Sequence, residues 1–296
     1  MKLHVRNIVT ALVGLFVLVS CGKRDWGDRI VVCGDSDIYI VDTKCSTEDS
    51  LAVTWSWNVN EADIPQEIKS RCRSFDDCKP VDGGRKLLLT SSSGATLLMD
   101  IVSRKCEFYA ITPMAHSADM LPGGMIAVAN SVTPLGNSLE LYSRERNEDC
   151  LWRDSLYFGH GVVWSEKMKS LYALGYDELR RYTPAGDSLV LEQTFAVPGT
   201  GCHELSPVGD DVLLCSTHNN VYLFDLESCE WTEFDQLASQ KGIKSANYDP
   251  ESGRLIYTRA ETSWWTNHVY ILERDGSLRT LTFSPDYHLY KVRVLD

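Results

Sequence analysis

The stretch HSADMLPGGMIAVANS at 116–131 is echoed 44 residues later by HGVVWSEKMKSLYALG at 160–175, and 43 residues after that by HELSPVGDDVLLCST at 203–217. Each time a histidine opens a short apolar run, a polar turn follows, and a second strand-like run closes the unit. Three of only seven histidines therefore share one place in a repeat. Around them the same period carries two further strand-like runs: NSLELYS and CLWRDSLYF in the first unit, DELRRYT and SLVLEQTFAV in the second, NVYLFDL and CEWTEFD in the third. A fourth unit follows in IKSANYD, RLIYTRA, HVYILER and SLRTLTF. These runs are rich in Val, Leu, Tyr and Thr, alternate in polarity, and are separated by Gly, Asp and Asn turns, the pattern of short strands.

Four strands in about 43 residues is the period of a β-propeller blade. Toward the N-terminus, DDCKPVD, KLLLTSS, ATLLMDI and CEFYAIT make another blade. Before it, RIVVCGD, DIYIVDT and LAVTWSW supply only three strands, and the C-terminal LYKVRVLD is left over to complete that blade. The expectation is an all-β, six-bladed propeller over 29–296, closed by a clasp of one C-terminal and three N-terminal strands. Closure removes the sheet edges that an open ring would leave unpaired. A two-sheet sandwich is the runner-up, but it does not account for the four-strand period. EADIPQEIKSR at 61–71 is the one candidate for a short helix or long loop.

The chain of 296 residues carries a formal charge of −12. That acidity excludes a nucleic-acid backbone as the main partner. Residues 1–20 read as an export leader: MKLHVR is basic, IVTALVGLFVLV is apolar but too short to span a membrane, and LVSC closes it. Loss of Lys2 and Arg6 with the leader would make the remainder two charges more negative. LVSC resembles the lipobox of bacterial lipoproteins, which implies acylation at Cys21, a short tether over 21–28, and a protein held at the cell envelope through its lipid anchor. Cys72 with Cys78, and Cys202 with Cys215, are spaced to approach one another, although small buried thiols are the simpler reading.

In a propeller the inner strand of each blade lines a central channel. His116, His160 and His203 begin three successive inner strands, so radial repetition would gather them at one mouth. The other blades offer Asp76, Asp77 or Cys78, then Lys244 or Ala246, then His288 near the same offset. Two chemistries suit this set. His116, His160, His203 and Asp77 are ligand types for one divalent metal ion. Alternatively, His160 or His203 works on a proton, because imidazole titrates near neutrality. Hairpin loops on that face bring Ser91, Ser92, Asn130, Tyr176, His218, Arg259, Trp264 and Trp265. Lys244 and Arg259 are candidates to bind a carboxylate, and Trp264 and Trp265 to stack on a sugar ring or to plug a blade junction. His268 and His288 read as structural.

HSADMLPGG, HGVVW and GCHEL together resemble an uncharacterised family of bacterial lipoprotein propellers. His116, Ser117, Leu121, Pro122 and Gly124, then His160 to Trp164, match its motifs, whereas Cys202 and Glu204 depart from its usual Gly and Asp. The resemblance implies the propeller and brings no activity with it. A channel-mouth histidine cluster is also similar, by analogy alone, to that of propeller lyases acting on uronate oligosaccharides. Two functions follow as expectations for a monomer: a lyase-like enzyme acting on an acidic carbohydrate, or a non-catalytic module that binds a glycan or protein. No nucleophile elbow, P-loop, HExxH or dinucleotide fingerprint is present in the sequence.

Overall fold

The expected strand runs pair in chain order into six four-stranded antiparallel sheets. In this computed structural model the described residues are 25–48 and 50–295. Blade 1 contains β1 (Arg29–Gly34), β2 (Asp37–Thr47) and β3 (Ser50–Asn58). Blade 2 is β4 (Phe75–Val81), β5 (Lys86–Ser91), β6 (Ala95–Asp100) and β7 (Cys106–Ile111). Blade 3 is β8 (Ala115–Leu121), β9 (Met125–Asn130), β10 (Ser138–Ser143) and β11 (Arg146–Ser155). Blade 4 is β12 (Gly161–Ser165), β13 (Ser170–Leu174), β14 (Glu178–Ala185) and β15 (Ser188–Ala196). Blade 5 is β16 (Glu204–Val208), β17 (Val212–Ser216), β18 (Val221–Asp225) and β19 (Trp231–Glu233). Blade 6 is β20 (Ile243–Tyr248), β21 (Leu255–Arg259), β22 (His268–Leu272) and β23 (Leu278–Thr282).

The last strand, β24 (Leu289–Val294), pairs antiparallel with β1 and becomes the inner strand of blade 1. This is the expected clasp. The inner strands β24, β4, β8, β12, β16 and β20 contact one another in that circular order, so blade 1 lies across the axis from blade 4. The 61–71 stretch follows a capped 3-10 turn (Val59–Glu61) and holds a single α turn (Gln66–Lys69).

The core is divided into six layers, one at each blade junction. Val31, Cys33 and Ile38 of blade 1 meet Cys78, Leu87 and Leu89 of blade 2. The other five junctions repeat the arrangement, and Ile256 and Val269 of blade 6 close it against Ile30 and Val32. Each middle strand is therefore buried on both faces, which explains continuous apolar runs such as LLL at 87–89. All nine cysteines among the described residues are free thiols. Cys202 and Cys215 lie together, whereas Cys78 lies against Cys33 rather than Cys72.

The chain enters β1 at the end that pairs with Val294, and leaves it at the end that pairs with Leu289. Residues 25–28 thus sit at the opposite end of the channel from the start of each inner strand. The leader 1–20, Cys21 and the tether as far as residue 24 lie outside the described residues. None of the described helices is long and apolar enough to cross a membrane.

Candidate functional site

One residue per blade meets at the mouth where the inner strands begin: Asp76, His116, His160, His203, Lys244 and Tyr290. In blades 2, 3 and 6 the register slips by one at that residue, so Asp76, His116 and Lys244 are the extra residues of β-bulges. The slip between Cys33 and Gly34 does the same for Tyr290 on β24. His160 and His203 stand immediately before β12 and β16, where their backbone N–H groups donate to Leu174 O and Ser216 O. A bulge turns a side chain away from the pleat alternation. Here it turns Asp76, His116, Lys244 and Tyr290 into the mouth, and His160 and His203 reach it from the residue before their strands.

The chain before several of these residues is also shaped in common. Met114 (φ 62°), Phe158 (φ 56°), Gly201 (φ 65°) and Gly242 (φ 72°) each stand two positions ahead of a mouth residue in the left-handed region. Met114 and Phe158 hold it without the glycine that makes it easy. Their carbonyls accept from His116 Nδ1 (2.9 Å) and His160 Nδ1 (3.0 Å). Gly201 could not be replaced cheaply, since a Cβ there would come 2.3 Å from the His218 ring.

The three imidazoles are in ring contact. His116 and His160 have centroids 4.2 Å apart, and His160 and His203 5.0 Å. All three are buried. Bonds from Nδ1 to a carbonyl assign the Nδ1–H tautomer to His116 and His160, which leaves each Nε2 a lone pair. His203 differs: its Nε2 lies 3.1 Å from Lys244 Nζ and accepts from that ammonium, while its buried Nδ1 has no partner among the described residues. Burial lowers the pKa of all three. The neighbouring imidazoles push His160 further, and Lys244 with His218 pushes His203 further, both well below the ordinary value. For His116, burial is opposed by Asp76, whose Oδ1 stands 3.9 Å from His116 Nε2. The cluster is neutral at pH 7.

Lys244 is the cation of the site. It is buried, and burial followed by the nearby Lys291 charge pulls its pKa down to about 8. Its ammonium faces the Tyr290 ring at 5.7 Å and touches the His203 nitrogen; among the described residues no carboxylate forms an ion pair with it. The cavity has a volume of about 330 Å³ and is completed by Ser92, Met114, Ser131, Val132, Phe158 and Trp264. Ser92 N–H donates to Asp76, whose pKa is raised by burial against the pull of His116. A larger hollow of about 420 Å³ near Trp26 and Val294 has, among the described residues, no buried polar side-chain atom lacking a partner.

Beneath the pocket the channel is closed by charge. Arg293 bridges Asp77 (2.7 and 2.8 Å) and Glu204, and Lys291 Nζ lies 3.1 Å from Glu204 and 3.9 Å from Asp77. Burial alone would raise the Asp77 carboxyl, but Arg293 and Lys291 hold it well below the usual range. Lys291 also donates to the His160 carbonyl across the axis at 3.4 Å.

Several expected site residues fall elsewhere. Asp77 points into this charge cluster, and the bulge presents Asp76 to the pocket in its place. The β24 bulge likewise places Tyr290 at the offset expected of His288, which instead pairs with Asp35 at 2.8 Å. Arg259 lies over Tyr270 (5.4 Å) and does not line the pocket. Trp265 packs edge-on against His288 at 4.2 Å, a packing role, whereas Trp264 is on the pocket rim and is 45% exposed. Among the described residues no three His, Cys, Asp or Glu side chains are arranged to hold a metal ion. Asp77, held by Arg293, is turned away from the histidines and does not stand beside them as a ligand, whereas the Nδ1–H bonds to carbonyls leave the Nε2 lone pairs of His116 and His160 free in the form that ligates a metal; no step is derived through an ion. Sequence reasoning missed Phe158, stacked on His160 at 4.0 Å, although an aromatic two residues before that histidine was a visible signal.

The profile of a family of unknown function, DUF6528, matches residues 28–280, nearly the whole propeller, and the chain belongs to that family. No curated protein compared with the chain matches it.

Proposed function

We propose that this member of a family of unknown function binds a small acidic carbohydrate in the channel-mouth pocket, through its carboxylate. The observation that carries the reading is Lys244: a buried ammonium whose neighbours are an imidazole nitrogen and an aromatic face. A buried cation is costly without a counter-charge, and a ligand carboxylate supplies one. The unpartnered His203 Nδ1 and the free Nε2 of His160 are a donor and an acceptor for ligand hydroxyls. Trp264 on the rim, with its ring 6.0 Å from Tyr290, offers an apolar wall for a sugar ring. The test is calorimetry with a uronate and its neutral hexose. The uronate is expected to bind and the hexose to bind at least tenfold more weakly. Lys244→Met should abolish that preference without unfolding the domain, because it removes a buried charge. Equal affinity for the two sugars would refute the carboxylate contact.

A second reading is catalytic. A carboxylate held at Lys244 would bring the carbon beside it toward the His160 Nε2 lone pair, so that His160 takes the α-proton, Lys244 steadies the developing negative charge, and the electron pair expels the glycosidic oxygen. The depressed His160 pKa makes it a weak base, so binding stands first. Ultraviolet absorbance of an unsaturated product, lost in His160→Ala, separates the two readings.

The same proposal makes the chain an envelope lipoprotein. It rests on LVSC and on the place where the chain enters the propeller. Four chain steps lead from Cys21 to Asp25, a reach of roughly 14 Å, and the entry at residue 29 is at the end opposite the pocket. An anchored molecule thus turns its pocket away from the membrane. Labelled fatty acid should be incorporated at Cys21 and lost in Cys21→Ala; unlabelled protein of unchanged size would contradict this.

A further inference from the structure

We infer that the pocket is the inner subsite of a longer cleft, and that its ligand is an acidic oligosaccharide whose next ring rests on Tyr157 and Tyr176. This rests on the carboxylate reading above. The cavity of about 330 Å³ is at the small end for ligand sites. It encloses one ring of a longer chain, and the others must lie across the mouth.

The aromatic side chains of the mouth mark the direction. Among the described residues only two aromatic side chains are exposed, Tyr157 (57%) and Trp264 (45%), and both stand on the pocket face. Trp264 belongs to the β21–β22 hairpin beside Tyr290 of blade 1. Tyr157 and Phe158 precede β12 in blade 4, across the axis. Rings run without a break from the pocket to the surface. Phe158 stacks on His160, meets Tyr176 edge-on at 5.5 Å, and lies 6.4 Å from Tyr157. Tyr157 and Tyr176 are 5.6 Å apart, and Tyr176 faces His218 at 6.4 Å.

This platform is built in advance. Tyr176 N–H donates to Tyr157 O at 3.0 Å, and Phe158 N–H donates to Asn137 Oδ1 at 3.1 Å, which ties the platform to the neighbouring hairpin. Exposed Val132 and Leu135 on that hairpin continue its apolar border. Phenol rings with one apolar face and one polar edge suit a sugar, whose axial C–H groups stack while its hydroxyls stay wet. Rigid anchors lose little freedom on binding.

The test compares the monomer and linear trimer of galacturonate, and likewise of glucuronate and mannuronate, by calorimetry. In a series that binds, the trimer should bind about tenfold more tightly than the monomer. Tyr157→Ala with Tyr176→Ala should erase that gain and leave monomer affinity within about twofold. A trimer no tighter than its monomer, or a gain that survives the double substitution, overturns the subsite alone. If no series binds, the carboxylate reading fails and the subsite falls with it.

Discussion

The two levels of the channel use the same strands and similar side chains to opposite ends. In the middle, Asp77, Glu204, Lys291 and Arg293 are buried and satisfy one another. One level up, Lys244 and His203 are also buried, yet their only mutual bond joins an ammonium to a neutral nitrogen, and one imidazole nitrogen is left without a partner. On β24 the change occurs between adjacent residues: Tyr290 walls the pocket and Lys291 belongs to the plug. Burial alone therefore does not mark a functional group. A buried polar group left incompletely paired at the wall of a cavity does, as at His203, because a ligand can supply the missing partner there.

The largest expected effect concerns the strand that serves both levels. Deleting 289–296 removes the inner strand of blade 1, Tyr290 from the pocket and both cations from the plug, and reopens the edge of β1. Loss of the cooperative thermal transition is expected. A truncated domain that melts like the full chain would show that the ring is not held by its clasp.

Next comes the plug by itself. Arg293→Met strands two buried carboxylates and should destabilise the domain by about 3–5 kcal/mol in denaturant unfolding, because Lys291 alone remains for both. A change as small as that of an exposed ion pair would mean that the channel is wetter than the structure indicates.

A smaller effect should come from the pocket histidines as a function of pH. Their folded-state pKa values lie below the ordinary 6.5. Above pH 6.5 they are neutral in both states and cost nothing. As pH falls through that value the unfolded chain takes up protons that the folded pocket refuses, so stability declines. The melting temperature should drop between pH 7 and 5, and less steeply in a variant with His160→Gln and His203→Gln. Equal slopes would place the titrating groups elsewhere.

The propeller could be read because its signals are local and repeated. Strand alternation, turn residues and a four-strand period survive without knowledge of contacts, and three strands at the start require one at the end. The histidines could be read because they recur at a constant offset. Asp76 and Tyr290 could not, since a bulge adds one residue to a ladder and leaves no distinctive letters: FDDC permits Asp76 or Asp77 equally. The plug was hidden for another reason. In YKVRV Lys291 and Arg293 alternate, but the letters do not say which carboxylates meet them. Once that strand is placed innermost, the same alternation sends them into the channel, where only buried carboxylates can accompany them, and Asp77 and Glu204 are those partners.

The most direct measurement of the central claim is the pH profile of uronate affinity by calorimetry. Lys244 loses its proton as pH rises through about 8, whereas a ligand carboxylate stays ionised and the pocket imidazoles stay neutral. Affinity should hold constant from pH 6.5 to 7.5, then fall about tenfold for each pH unit well above 8, and the fall should vanish in Lys244→Met. Affinity that remains level to pH 10, or a decline that persists without Lys244, would contradict the assignment of this lysine as the counter-charge that the fold leaves open.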